Sequence, residues 1–556
     1  MPHRATSSGS ALLALLIALG CAPVADSAPP EISGDRLLQD ITMLASDSFQ
    51  GRRPGTVGEE RTMAYLTSQF QAAGLEPGNP DGTWTQPVNL VGITSVPTLT
   101  LRGAGGTRTL AWKTDYVAQS RREVPKVSVA NAELVFVGYG VTAPEFNWDD
   151  YKGVDVKGKT LVMLVGDPPV RLASDTAALD PARFRASAMT YYGRWTYKYE
   201  EATRRGAAAV LVVHQTIPAS YPWEVVEGGW TGERMDVSTP DGHAGRVAVE
   251  GWLSVDATKK LFADAGLDFE AQERLARTAD FQPVSLKTSA TFDVQNTMRN
   301  VATHNFIAKL PGSDTAAAGE YVIYTAHWDH FGIGKPVNGD SIYNGARDNA
   351  SGTAALIELA RAFKTAGAPR RTLLFLAVTA EEQGLLGSKW YAENPLYPLN
   401  KTVADINVDV INAWGPTSDV TVVGTGNTTL EDILAEEAAT RGRTVAPDPE
   451  PEAGGFYRSD HFEFAKQGVP AIYLDQGTKY TGKPEGYAKE KRDDWTNNIY
   501  HQPSDEVDST WDMSGALADL DLLYAVGRRV ADAEIWPTWK DGTEFKAVRD
   551  RMLGTP

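Results

Sequence analysis

Imidazole and carboxylate side chains recur in this sequence at the ends of apolar runs, where an unpaired charge is costly if buried. His327-Trp328-Asp329 closes the run Tyr321–Ala326, and Asp348-Asn349-Ala350-Ser351-Gly352 opens a helical stretch. Glu381-Glu382 follow the apolar Thr372–Val378, Asp409 follows Val403–Val408, and Tyr500-His501 sit in a polar loop. Singly, each has an ordinary reading: a structural histidine, a helix cap, a charge just beyond a strand, a solvated surface histidine. Adjacent carboxylates such as Glu381 and Glu382 repel unless a cation or a shared proton relieves them. Taken as one site, the imidazoles and carboxylates are hard or borderline ligands suited to Zn²⁺. A carboxylate then remains over to move protons.

Such a site needs a scaffold that brings strand ends together. From about Asn300 the pattern alternates strand and helix. Strands are expected at Tyr321–Ala326, Thr372–Val378, Val403–Val408, Val420–Val423 and Ala471–Leu474, and helices at Ala350–Thr365, Leu430–Arg441, Asp460–Lys466 and Ser514–Ala531. This alternation predicts an α/β fold, a mainly parallel sheet covered by helices on both faces. Open sheets of this kind build their sites at the C-terminal strand ends, where the charged groups fall. Upstream, Leu37, Ile41 and Leu44 recur at helical spacing, and a second helix is expected over Gly58–Ala73, stopped by Gly74. Between Ser128 and Asp280 short strands (Glu133–Val137, Thr160–Val165, Ala208–Val213) and a helix (Tyr197–Arg205) alternate with Gly- and Pro-rich loops, the texture of a small inserted β-rich or α+β domain.

The motifs Ala326–Gly332 (AHWDHFG), Gly345–Gly352 (GARDNASG), Thr379–Ser388 (TAEEQGLLGS), Asn407–Asp409 (NVD), Ser459–Phe462 (SDHF) and Tyr500–Asp505 (YHQPSD) together resemble the two-zinc aminopeptidases related to glutamate carboxypeptidase, the transferrin receptor and glutaminyl cyclase. Gly468–Ala471 (GVPA) and Leu44–Thr56 (LASDSFQGRRPGT) extend the resemblance, which spans about Ile32 to Ala531. It implies the zinc exopeptidase fold, with a protease-associated domain inserted at 128–285 between two parts of a peptidase domain, 32–127 and 286–540, and a C-terminal tail, 541–556. It implies two Zn²⁺ per chain. Asp348 would bridge both metals, His327 and Asp409 would complete one site, and Glu382 and His501 the other. Glu381 would be the general base toward a metal-bridging hydroxide, Tyr500 would stabilise the oxyanion, and Asp329 would orient the His327 ring. A cis peptide is implied between Asp348 and Asn349. Arg347 departs from the pattern, in which a small or acidic residue is common. The implied activity is removal of N-terminal residues from peptides. The alternatives are a carboxypeptidase, for which Arg347, Arg458 and Lys389 could grip a substrate carboxylate, a metal-free receptor-like binding protein, and a one-zinc glutaminyl cyclase. The intact ligand set argues against the last two. Trp328, Phe456, Tyr457 and Trp495 are candidate pocket residues, with packing as the alternative.

Gly153–Thr160 matches the phosphate-loop pattern G-x-x-x-x-G-K-T letter for letter. That mechanism needs a strand before the first Gly and a helix after the Thr. Here a polar turn precedes and an apolar strand follows, so nucleotide binding is rejected. A net charge of -18 disfavours nucleic acid as a partner. The single cysteine, Cys21, excludes an intrachain disulfide and a cysteine metal site. It follows the apolar run Ala11–Leu19, which is too short to span a bilayer and reads as a signal sequence over 1–22, with 23–31 as a tether. Lipidation at Cys21 is favoured over cleavage after Ala22. The protein is therefore expected to be exported, to the periplasm or as an outer-membrane-anchored lipoprotein, or secreted.

Overall fold

The computed structural model describes Met1 and residues 31–554, apart from 173, 176 and 220. The expected signal sequence, Cys21 and all of the tether but residue 31 lie outside the described residues. Among the described residues no helix is long and apolar enough to cross a membrane.

One large mixed sheet runs through the protein. Its site-bearing half has the strand order Thr444–Pro447, Asp419–Val422, Ala471–Asp475, Thr402–Asn407, Tyr321–His327, Thr372–Val378, Val284–Leu310. The central pairs, Tyr321–His327 with Thr372–Val378 and with Thr402–Asn407, are parallel, as is Thr402–Asn407 with Ala471–Asp475. These strands are buried along their whole length apart from strand-end and edge positions. That is why they read as continuous apolar runs rather than alternating ones. The helices Gly34–Leu44, Val57–Ala72, Ser351–Ala366, Leu430–Thr440 and Ser514–Asp532 contribute to the main core with Leu37, Ile41, Phe70, Leu356, Phe363, Leu434, Leu520 and Val526.

The largest departure from the sequence expectation is a pair of long strands, Thr85–Gly103 and Val284–Leu310. They pair antiparallel from Thr85↔Phe306 to Gly103↔Thr288. Their buried and exposed residues largely alternate, the signature of a two-sided strand. One end of Val284–Leu310 pairs with Thr372–Val378, the other with Lys126–Phe136, so a single strand carries the sheet from one core into another. The second core draws on both sides of the expected boundary at 128. It holds Leu99, Leu101, Leu110 and Tyr116 beside Phe136, Val162, Leu211, Phe262 and Phe292. The expected tail at 541–556 is in large part folded. Phe545 is buried, the helix Lys546–Leu553 follows it, and Arg549 Nη2 donates to the Thr402 carbonyl at 2.8 Å. The phosphate-loop look-alike leads into the strand Thr160–Leu164, so no helix N-terminus stands behind it.

Candidate metal centre

His327, Glu381, Glu382 and Asp409 stand at or just after the C-terminal ends of three neighbouring parallel strands, and loops bring Asp348 and His501 to them. His327 is the last residue of Tyr321–His327, and Glu381 and Glu382 follow Thr372–Val378 after a turn in which Ala380 adopts φ 54°. Asp409 lies just past Thr402–Asn407. Asp348 sits in the loop Ala346–Ala350, which feeds the helix Ser351–Ala366, and its peptide bond to Asn349 is cis. Cross-braces hold these strand ends in register. Asn349 Oδ1 accepts from the amides of Gly352 (2.8 Å) and Val410 (3.1 Å), and its Nδ2 donates to the Val408 carbonyl. Thr353 Oγ1 donates to the His327 carbonyl at 2.8 Å. Two glycines are required for this closeness. A Cβ on Gly352 would lie 2.3 Å from the Val408 carbonyl oxygen, and one on Gly345 would lie 2.3 Å from that of Asp348.

The result is a centre with one shared carboxylate. His327 Nε2 lies 3.2 Å from Asp348 Oδ1 and 3.3 Å from Asp409 Oδ1. On the other side, His501 Nε2 lies 3.3 Å from Asp348 Oδ2 and 3.2 Å from Glu382 Oε2. Nitrogen and oxygen ligands about 2.0–2.2 Å from zinc in a tetrahedron stand roughly 3.3–3.6 Å from one another. The observed separations, 3.2–3.3 Å, lie at or just below the short end of that range. His501 Nε2, although buried, makes no aligned hydrogen bond among the described residues. Glu381 Oε2 is 3.9 Å from His327 Nε2.

The charge balance asks for cations. Asp329, Asp348, Glu381, Glu382, Asp409, Asp460 and Asp505 crowd one region, and among the described residues no lysine or arginine side chain forms an ion pair with any of them. Burial opposes protonation of His501, yet Glu382 and Asp348 outweigh it and push the imidazole up to about 10. His327 is likewise raised well above its ordinary value, Glu381, Asp409 and Asp348 overcoming its burial. Burial, reinforced by Glu382 and Asp409 and opposed by His327, raises Glu381 well above the carboxylate range. Glu382 falls to about 2, because His501 and His330 offset its burial. A divalent cation would supply the positive charge this carboxylate cluster lacks, and the imidazole and carboxylate donors fit Zn²⁺.

The expected role of Asp329 changes in atomic detail. The His327 ring is held by the main chain of Asp329: Nδ1 is 3.1 Å from its carbonyl oxygen and 3.9 Å from its carboxylate. The Asp329 carboxylate instead accepts the Glu381 amide at 3.0 Å, so it positions the loop of Glu381. Tyr500 stacks on His501 with ring centroids 3.7 Å apart, which places the phenol beside the second cation position. Of the pocket candidates, Trp328 is buried and donates Nε1 to the His304 carbonyl, a packing role. Phe456 and Tyr457 line a cavity of about 170 Å³ with Arg185, Met189, Gly424 and Pro451. Trp495 stacks on Arg347.

Other residues at the centre had no assigned role in the sequence. His330, in the same HWDH run as His327, sets its Nδ1 2.6 Å from Glu382 Oε1. Asp505 accepts the amides of Arg347 and Asp348, both at 3.0 Å, and so fixes the bridging loop. Ser459 Oγ donates to Asp409 Oδ2 at 2.6 Å. Arg52, fully buried, donates to the carbonyls of Leu44, Trp328, Asn344 and Gly345 and clamps two site loops from behind. Their motifs were visible, but only contacts distant in sequence define these roles.

The cluster of imidazoles and carboxylates at the strand ends is a candidate metal centre, and the segment that holds it matches a peptidase profile. Residues 305–525 match the profile of Peptidase family M28. This segment, about two fifths of the chain, carries every ligand candidate above. The chain is 33% identical over 180 residues to leupeptin-inactivating enzyme 1 of Streptomyces exfoliatus, covering 32% of this chain and 37% of that protein. It is 28% identical over 194 residues to aminopeptidase YwaD of Bacillus subtilis, covering 34% and 36%. These alignments span little more than a third of each relative. A solved aminopeptidase from Aneurinibacillus sp. strain AM-1 superposes with a TM-score of 0.47 at 18% identity, covering 91% of this chain and 95% of that one.

Proposed function

We propose that this protein is a two-zinc aminopeptidase that removes N-terminal residues from peptides. One observation carries the reading: a single carboxylate, Asp348, faces His327 through one oxygen and His501 through the other, and each histidine meets a further carboxylate. Two zinc ions, when bound, supply Lewis acidity and lower the pKa of water at neutral pH. The chain's own residues do the rest. Glu381 accepts a proton from the attacking water and returns it to the leaving amine. Tyr500, held against His501, donates its hydroxyl hydrogen to the developing oxyanion. Asp329 keeps Glu381 in place through the Glu381 amide. Peptide substrates are the partners this reading requires. Export by the N-terminal signal, with Cys21 as a lipid anchor, is part of the same proposal, and 128–285 is proposed as a protease-associated insertion.

A carboxypeptidase is the second reading, and Arg458 favours it. Its side chain has no hydrogen bond or ion pair among the described residues, and its charge bears on Tyr500 and on Arg194 of the second core's side. Such a cation could hold a substrate carboxylate. The other basic candidates are engaged: Arg347 is stacked and hydrogen-bonded, and Lys389 lies 3.7 Å from Asp236. The test is elemental analysis beside hydrolysis of free and N-acetylated peptides. Two zincs per chain, with cleavage that vanishes on N-acetylation, supports the aminopeptidase. Cleavage that survives N-acetylation but needs a free C-terminus supports the carboxypeptidase. No metal and no cleavage would overturn both.

A further inference from the structure

Arg347 is buried beside the bridging Asp348, yet it touches none of the ligand atoms. Its guanidinium lies between two indoles, 3.9 Å from the Trp414 ring centroid and 4.6 Å from that of Trp495. Nε donates to the Ile411 carbonyl at 3.2 Å and Nη2 to Gln476 Oε1 at 2.8 Å, while Nη1 has no acceptor. An arginine retained for hydrogen bonding alone would not leave a buried donor unmet. Two indoles engage the guanidinium instead.

The contacts reach the loops of two further ligand candidates, Asp409 and His501. Ile411 follows Asp409 by two residues, and its own amide is tied to Ser351 at the start of the helix after Asp348. Trp495 begins the turn that presents Tyr500 and His501. The Tyr500 amide donates to the Trp495 carbonyl at 2.8 Å, the rings of Trp495 and Tyr500 are 6.1 Å apart, and Tyr500 stacks on His501. A chain of ring contacts therefore runs Trp414, Arg347, Trp495, Tyr500, His501, with Trp495 and Tyr500 tilted at 49° and Tyr500 stacked on His501. The His501 loop is otherwise held toward the Asp348 loop through Asp505, which binds main-chain amides only.

We infer that Arg347 is a positioning residue that braces the Trp495–His501 turn against the Asp348 and Asp409 loops, and so sets the distance between the two cation positions. This rests on the metal-centre reading above. Arginine suits the task because its planar cation can stack on both faces while its edge donates in plane. Lysine has the charge without the faces.

The test is zinc titration of the metal-free protein by calorimetry, with His501→Ala defining the binding step that depends on His501. Arg347→Met is expected to weaken that step by about tenfold to a hundredfold, as loss of an outer partner does, and to leave the other step within about threefold. Arg347→Lys is expected to behave like Arg347→Met. Wild-type-like titration by Arg347→Lys would show that charge alone matters and overturn the stacking role. Equal weakening of both steps, or of neither, would overturn the brace itself. Trp495→Leu removes the ring that links Arg347 to the Tyr500–His501 turn and should reproduce the Arg347→Met titration, which keeps the inference testable if the arginine variants do not fold. Wild-type protein that takes up no zinc would instead refute the metal centre on which the inference rests.

Discussion

Ser459→Ala separates positioning of a metal ligand from stability of the fold. Ser459 is buried, donates to Asp409 Oδ2 at 2.6 Å and accepts from Asn407 Nδ2 at 2.7 Å. Among the described residues it is the only hydrogen-bond donor to that carboxylate oxygen. A hydrogen bond to a charged group is worth about 1.5–3 kcal/mol. Its loss should weaken zinc at the His327–Asp409 position by roughly tenfold to a hundredfold, in line with the effect of removing an outer partner. The second consequence falls on the fold. Asn407 Oδ1 already has no partner, so the variant leaves the whole Asn407 amide unmet inside the sheet, at a cost of about 1–3 kcal/mol. The two effects can be read apart. Zinc titration reports the first, and urea unfolding of the metal-free protein reports the second. The double variant Ser459→Ala with Asn407→Ala should lose less stability than the sum of the single variants, because no donor is stranded, while its zinc affinity matches Ser459→Ala alone. Unchanged zinc affinity in Ser459→Ala would refute the claim that this hydroxyl holds Asp409 in its ligating position.

Further outcomes follow from the same geometry. Glu381→Gln should lower turnover by roughly 10²–10⁴-fold with both zincs retained; wild-type turnover with metal present would remove Glu381 as the base. Stripping the metals should abolish hydrolysis and lower the melting temperature, because zinc at a hundred times its dissociation constant stabilises by about 2.7 kcal/mol; an unmoved melting temperature would count against a native-state metal site. Asp405, buried in the strand Thr402–Asn407, is raised by that burial from 3.8 to about 7, with the Thr325 hydroxyl opposing. The unfolded chain ionises near 3.8 while the fold keeps the proton. The penalty is therefore absent below about pH 4, grows as pH rises toward 7, and is constant above, reaching about 4 kcal/mol. Asp405→Asn removes it, so the variant's stability relative to wild type should climb across that window; a flat difference would show that Asp405 ionises normally.

The chemistry of the centre was legible in the sequence because metal ligands must be specific residue types, and an α/β sheet exposes its strand ends at one edge. Thr372–Val378 is too apolar to end at solvent by accident, so the acids after it pointed to a site before any contact was known. The parallel sheet was legible for the same reason, since strands buried on both faces leave an uninterrupted apolar run. The long strands Thr85–Gly103 and Val284–Leu310 were not legible, because their alternation is diluted by polar residues and their pairing joins segments far apart in the chain. Nor could sequence assign Arg52, Ser459 or Asp505, whose partners lie on other loops. Residue type and order determined which side chains are candidates for ligands. Only the tertiary structure decided which oxygen of Asp348 faces which histidine, and that an arginine between two tryptophans stands behind the bridging carboxylate, because those distances are set by packing among elements distant in the chain.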